Sequence, residues 1–127
     1  MENEQNWLAI PEATLNELIC ESVAKMNPTE RRLWELVRIK PVKWQLPPWG
    51  DLGGGFWVVG IIGTGVLWYN DIEDGFNRSP YTTYGIIGAY LCNQDELDIA
   101  IYNLLLQLET GQRAGSFGPP EPIRKTD

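Results

Sequence analysis

The stretch that decides the fold is Phe56-Trp57-Val58-Val59-Gly60-Ile61-Ile62-Gly63-Thr64-Gly65-Val66-Leu67-Trp68-Tyr69. Side chains of an extended chain alternate between two faces. From Phe56 to Ile62 they are apolar at both parities, so this strand belongs in the middle of a sheet with material packed on each side. Gly63-Thr64-Gly65 suits a hairpin turn, because a positive φ costs glycine little. Val66 to Tyr69 is then the return strand.

Upstream, Val42-Lys43-Trp44-Gln45-Leu46 alternates in polarity and reads as a first strand, ended by Pro47-Pro48. The stretch from Trp49 to Gly55 is a loop. Asn27-Pro28-Thr29-Glu30 starts a helix: Asn27 caps, Pro28 takes the first position, and Glu30 reaches back as in a capping box. That helix runs to about Val37, with Leu33, Trp34, Leu36 and Val37 inward or partly so. An earlier helix spans Pro11 to about Met26, where Leu15, Leu18, Ile19, Ser22, Val23 and Met26 recur at helical spacing. Residues 1–10 form a loose lead-in with Trp7, Leu8 and Ile10 as anchors.

Downstream, Asn70 to Pro80 is rich in turn formers and reads as a polar loop. Tyr81 to Leu91 reads as a further strand region broken by Gly85 and Gly88. Asn93-Gln94-Asp95-Glu96 repeats the Asn-x-x-Glu start. A last helix runs to about Glu109, with Leu97, Ala100, Ile101, Leu104, Leu105 and Leu108 on one face, and Gly111 stops it. The expected architecture is α+β: two N-terminal helices, a mainly antiparallel sheet of three to five strands, and one C-terminal helix. Residues 1–111 form one domain, and the Gly/Pro-rich residues 112–127 form a disordered tail.

The 127 residues include 43% apolar side chains, enough for one core without a disulfide or metal staple. The first residues show no basic segment followed by an apolar one, and no apolar run approaches bilayer length. A bacterial cytoplasmic, soluble protein is expected, with Cys20 and Cys92 as small buried hydrophobes. Histidine is absent. That removes serine and cysteine triads, histidine-ligated zinc and the commonest general base. Two isolated cysteines cannot make a structural zinc site. Gly60-Ile-Ile-Gly63-Thr-Gly65 precedes no helix and so is no phosphate loop. Aligning Gly75 with the sixth position of a calcium loop puts Ile72 and Tyr81 at ligand positions, so that pattern fails. No cofactor, metal or catalytic residue is expected. Paired carboxylates such as Asp71/Glu73 and Asp95/Asp98 leave a small carboxylate enzyme as the weakest alternative.

The formal charge of −7 is unevenly placed. Residues 50–109 hold eight acids and one base, Arg78, for a net −7; the flanking regions are −1 and +1. Such a field repels phosphate backbones and attracts basic proteins. The densest cluster of acids is Asp71, Glu73 and Asp74, flanked by Trp68, Tyr69, Asn70 and Phe76. Acids steer a partner, and aromatics supply contact area. Asp51 with Trp49 is a second candidate. A purely structural role for the cluster is the competing reading, with Trp68 and Phe76 in the core and Asn70 and Asp71 making turn hydrogen bonds.

The stretch Pro48-Trp49-Gly50-Asp51, Gly55-Phe56-Trp57-Val58-Val59 and Gly65-Val66-Leu67-Trp68-Tyr69-Asn70-Asp71, closed by the helix after Asn93, resembles the sheet half of the SUKH superfamily. Those are small α+β proteins, many of them immunity proteins that neutralise bacterial toxins. The Leu-Pro-x-x-Tyr segment of that family is absent, and Asn27-Pro28-Thr29-Glu30 stands near its place. The resemblance implies a non-enzymatic inhibitor, and no binding residue is taken from it. Together with the charge, the expected function is an immunity protein that covers a basic toxin, such as a nuclease, through an acidic surface. The alternative is a regulatory or scaffold module that binds a protein without inhibiting it.

Overall fold

The computed structural model describes residues 8–111. Two helices, α1 (Glu12–Lys25) and α2 (Pro28–Val37), precede four strands, β1 (Arg38–Trp44), β2 (Phe56–Ile62), β3 (Gly65–Asn70) and β4 (Gly75–Pro80). Helix α3 (Leu97–Thr110) closes the chain. The strands form one antiparallel meander in the order β1-β2-β3-β4. The architecture is therefore α+β, with two N-terminal helices and one C-terminal helix.

Strand β2 is an inner strand, as its two apolar faces require. Val59, Leu67, Tyr69 and Phe76 point to the helix side, where they meet Leu15 and Met26 of the α1 region, Leu33, Trp34 and Val37 of α2, and Leu97, Ile101 and Leu104 of α3. Phe56, Val58, Val66 and Trp68 point the other way and meet Trp44, Leu46 and Ile87. A β-bulge at Val59 shifts the register against β3, so Val58 opposes Trp68 and Gly60 opposes Leu67. Gly63, with φ 59°, and Thr64 form the two-residue turn that lets Ile62 pair with Gly65.

Asn27 caps α2 as its sequence requires: Oδ1 accepts from the Glu30 amide at 2.8 Å, and the Glu30 carboxylate accepts from the Asn27 amide at 3.0 Å. A pair of this kind contributes about 1 kcal/mol. Gly111, at φ 75°, ends α3 in the left-handed conformation.

Several expectations are corrected. The first strand starts at Arg38 and ends at Trp44, so α2 gives way to extended chain three residues before Pro41. The supposed loop Asn70–Pro80 is a turn of four residues followed by β4. Asn77 and Ser79 look like turn formers, yet both are buried and hydrogen-bond the segment that covers the sheet. Tyr81–Leu91 is not a strand. It is an irregular cover with isolated bridges at Thr83 and Ile86. Helix α3 starts at Leu97, not Asn93, because Asn93 and Asp95 pair with β4 instead: the Phe76 amide donates to the Asp95 carbonyl at 2.8 Å. A Cβ on Gly75 would run into the Asn93 carbonyl oxygen, so glycine is what lets the two segments lie this close. Cys20 is exposed and Cys92 half-buried, and both thiols are free. Leu36 and Leu108 are exposed. Trp7 and residues 112–127 lie outside the described residues. Among the described residues no helix is long and apolar enough to cross a membrane.

Candidate functional site

The acidic cluster is divided by the β3–β4 turn that carries it. Asn70 is fully buried, and its Oδ1 accepts from the amides of Ile72 at 3.0 Å and Glu73 at 3.2 Å, which folds residues 71–74 back on the strand. Asp71 turns inward. Its Oδ2 accepts from the Ile10 amide at 2.7 Å, while the Trp57 indole donates to the Ile10 carbonyl at 2.9 Å. The carboxylate and the half-buried Trp57 thus hold the chain leading into α1. Next to them Lys43 stacks over Trp57 at 4.9 Å and donates to the Gly53 carbonyl at 2.9 Å. Burial pushes the Lys43 ammonium below its ordinary value, and the charge of Asp71 opposes that shift.

Glu73 and Asp74 are exposed. Asp74 closes the turn at φ 59°, a left-handed conformation that Asp and Asn tolerate better than most residues. Its Oδ1 accepts from the Tyr69 hydroxyl at 3.3 Å. Burial first, then the charge and hydrogen bond of Asp74, push the Tyr69 phenol up to about 12.

Of the expected partner-binding residues, Trp68, Tyr69, Asn70 and Phe76 are buried. Trp68 donates its indole N–H to Ser79 Oγ at 2.9 Å and packs on Phe56. Trp49 is half-buried and stacks on Tyr90 at 4.4 Å, and Asp51 is exposed on the short turn Asp51–Gly53. The aromatic residues are therefore core or cover, and the acidic residues that meet solvent are Asp51, Glu73 and Asp74.

The structure gathers a different set. A cavity of about 170 Å³ opens between α1, the start of β4 and the chain leading into α3. Glu21, Asp74, Asp95 and Glu96 line it, with Lys25 as the one basic residue among the lining residues. Lys25 Nζ bridges to Glu96 at 2.6 Å, and that hydrogen bond holds the amine above its ordinary value. Leu18, Tyr69 and Phe76 form its apolar lining. Glu21 and Asp95/Glu96 are far apart in sequence, and the residue pattern pairs Asp95 only with Asp98 and gives no local sign of Glu21 beside it. The one sequence signal was Ser22, a hydroxyl set in the apolar stripe of α1. Among the described residues no three acids or cysteines are placed to share a metal ion.

Comparison with known proteins returns no family model, no curated protein and no solved structure that matches this chain.

Proposed function

We propose that the protein is an immunity-type inhibitor that binds a basic toxin domain, such as a nuclease, in the cytoplasm and covers its cationic working surface. The observation that carries this reading is the cavity lined by Glu21, Asp74, Asp95 and Glu96 against one ammonium, Lys25. Three of these four acids, Asp74, Asp95 and Glu96, belong to residues 50–109, where the sequence concentrates its negative charge. Acidic surface of this kind accelerates encounter with a basic partner and repels nucleic acid, so inhibition needs occlusion and no catalytic step. The likeness of the sheet half to SUKH immunity proteins supports the same reading.

The test is neutralisation. The product of the reading frame adjacent to this gene is expressed alone and then together with this protein. Growth arrest by the neighbour, relieved by co-expression, is the expected result. A harmless neighbour, or arrest that co-expression leaves intact, overturns the proposal.

A further inference from the structure

Resting on that reading, we infer that the outer face of α3 is the docking surface for an amphipathic helix of the basic partner, one whose apolar stripe is bracketed by Lys or Arg. Nine of the 14 residues of α3 are apolar, yet only Leu97, Ala100, Ile101 and Leu104 are buried. A surface helix ordinarily keeps one apolar stripe and turns polar residues outward. Helix α1 does so, and its exposed side carries no large apolar residue. Helix α3 carries a second stripe. Ile99, Tyr102 and Leu106, spaced three and four residues apart, share the side away from the buried set. Ile99 is 43% exposed, Tyr102 is 50% exposed, and Leu106 is half-buried.

Charge says what covers this stripe. Helix α3 contains no Lys or Arg. Asp95, Glu96 and Asp98 stand at its N-terminal end and Glu109 in its last turn. Acids at the first end suit the helix dipole. Glu109 opposes it, and no base in the last turn compensates. A cation brought to that end relieves both the carboxylate and the last carbonyls. Lys25 is already engaged by Glu96 at 2.6 Å, and Arg78 donates to Gln107, which lies off the stripe.

A second copy is a poor occupant. Antiparallel pairing of two α3 helices sets Glu109 against Asp98 of the other copy, between chains that each carry −7. Like charges across an interface oppose association. A partner helix with Lys or Arg at both ends of its apolar face meets acids at each end, with Ile99, Tyr102 and Leu106 between them. Tyrosine suits the centre of such a contact, because it supplies large buried area. The surface continues from the cavity: Glu96 lines that cavity, and its carbonyl accepts from the Ile99 amide at 3.1 Å.

The probe is a blocked peptide of leucine and lysine, about 14 residues long to match α3, with leucines on one helical face and lysines at both ends. It is titrated into the full chain and followed by amide shifts in NMR. Saturable shifts at Ile99, Tyr102, Leu106 and Glu109 with a dissociation constant of roughly 10–100 μM are expected. A scrambled peptide without an apolar face, or one with glutamate in place of lysine, should bind about tenfold more weakly or worse. Tyr102→Gln should weaken binding about tenfold. Glu109→Lys should weaken it about fivefold, yet leave the melting temperature level or higher, because lysine suits that helix end. Equal binding of either control peptide, shifts that leave α3 untouched, or unchanged affinity in either variant overturns the inference. So does a concentration-dependent dimer that Tyr102→Gln dissolves, since the face is then covered by a second copy. If the neighbour is still neutralised while the peptide leaves α3 untouched, only the docking surface falls. If the peptide binds α3 as expected and no neighbour is inhibited, the surface stands and the immunity reading falls.

Discussion

The two faces of the sheet are closed by different physics. On one side three helices lay aliphatic stripes over Val59, Leu67 and Phe76. On the other an irregular segment, residues 81–92, covers Phe56, Val66 and Trp68. Helices satisfy their own backbone groups, so the first cover needs only burial. A coil cannot, and its carbonyls and amides must find partners. Here they find three buried polar side chains of β3 and β4. Asn70 donates to the Leu91 carbonyl at 3.0 Å, Ser79 to Ala89 at 2.8 Å, and Asn77 to Asn93 at 3.3 Å while accepting from the Asn93 amide at 2.9 Å. Backbone pairing with Gln45 and Pro80 completes the attachment. The lesson is that buried Asn and Ser in a strand can do for a coil what helical hydrogen bonding does for a helix.

The comparison breaks most visibly at Trp68, which is fully buried on the coil side amid Phe56, Tyr90 and Ser79. Trp68→Ala should destabilise by about 3–5 kcal/mol in chemical denaturation. A loss below about 1 kcal/mol would mean the coil side is no true core.

Asn77→Ala comes next. It removes both bonds to Asn93 and should cost about 1–3 kcal/mol. Hydrogen exchange should quicken in residues 89–95 while α1 and α2 keep their protection. Uniform loss across both sides would show that the two covers do not unfold separately.

This division explains what the chain disclosed before folding. The helix side was legible because α1, α2 and α3 repeat apolar residues at helical spacing and Asn27-Pro28-Thr29-Glu30 is a local signal. The β2–β3 hairpin was legible for the same reason, since its two-faced pattern and its Gly63-Thr64 turn are contiguous. Strand β4 was not legible. Its Asn77 and Ser79 serve partners 10 to 16 residues away, and nothing local separates such residues from a turn. The start of α3 failed likewise, because Asn93 and Asp95 exchange a helical role for pairing with β4. In the acidic cluster, composition could not tell that Asp71 bonds the Ile10 amide while Glu73 and Asp74 meet solvent. It also could not bring Glu21 across 53 residues to Asp74.

The acids at the turn sharpen this point with smaller effects. Asp71→Ala should destabilise by about 1–2 kcal/mol, because it frees the Ile10 amide and leaves Trp57 to hold the lead-in alone. Glu73→Ala should fall within about 0.5 kcal/mol of wild type. Equal values would mean that the turn presents both carboxylates alike.

An effect confined to alkaline pH is the response of Tyr69, which lines the cavity from the helix side. Its folded pKa is raised to about 12 from an ordinary 10.0, so the folded state holds the proton more tightly than the unfolded. The resulting stability is fully present below about pH 10 and lost as pH climbs towards 12. Asp74→Asn should bring the phenol down, and ultraviolet titration of phenolate reads this directly. A Tyr69 that titrates near 10 in the wild type contradicts the burial and the Asp74 contact together.

The central claim is that the helix-side cavity, not the coil side, meets the partner. Cross-saturation NMR of the complex with the adjacent gene product tests it most directly. The account predicts saturation at Leu18, Ser22, Asp74, Phe76 and Glu96, with Tyr84, Ile86 and Tyr90 of the coil untouched. Saturation confined to Tyr84, Ile86 and Tyr90 would contradict it.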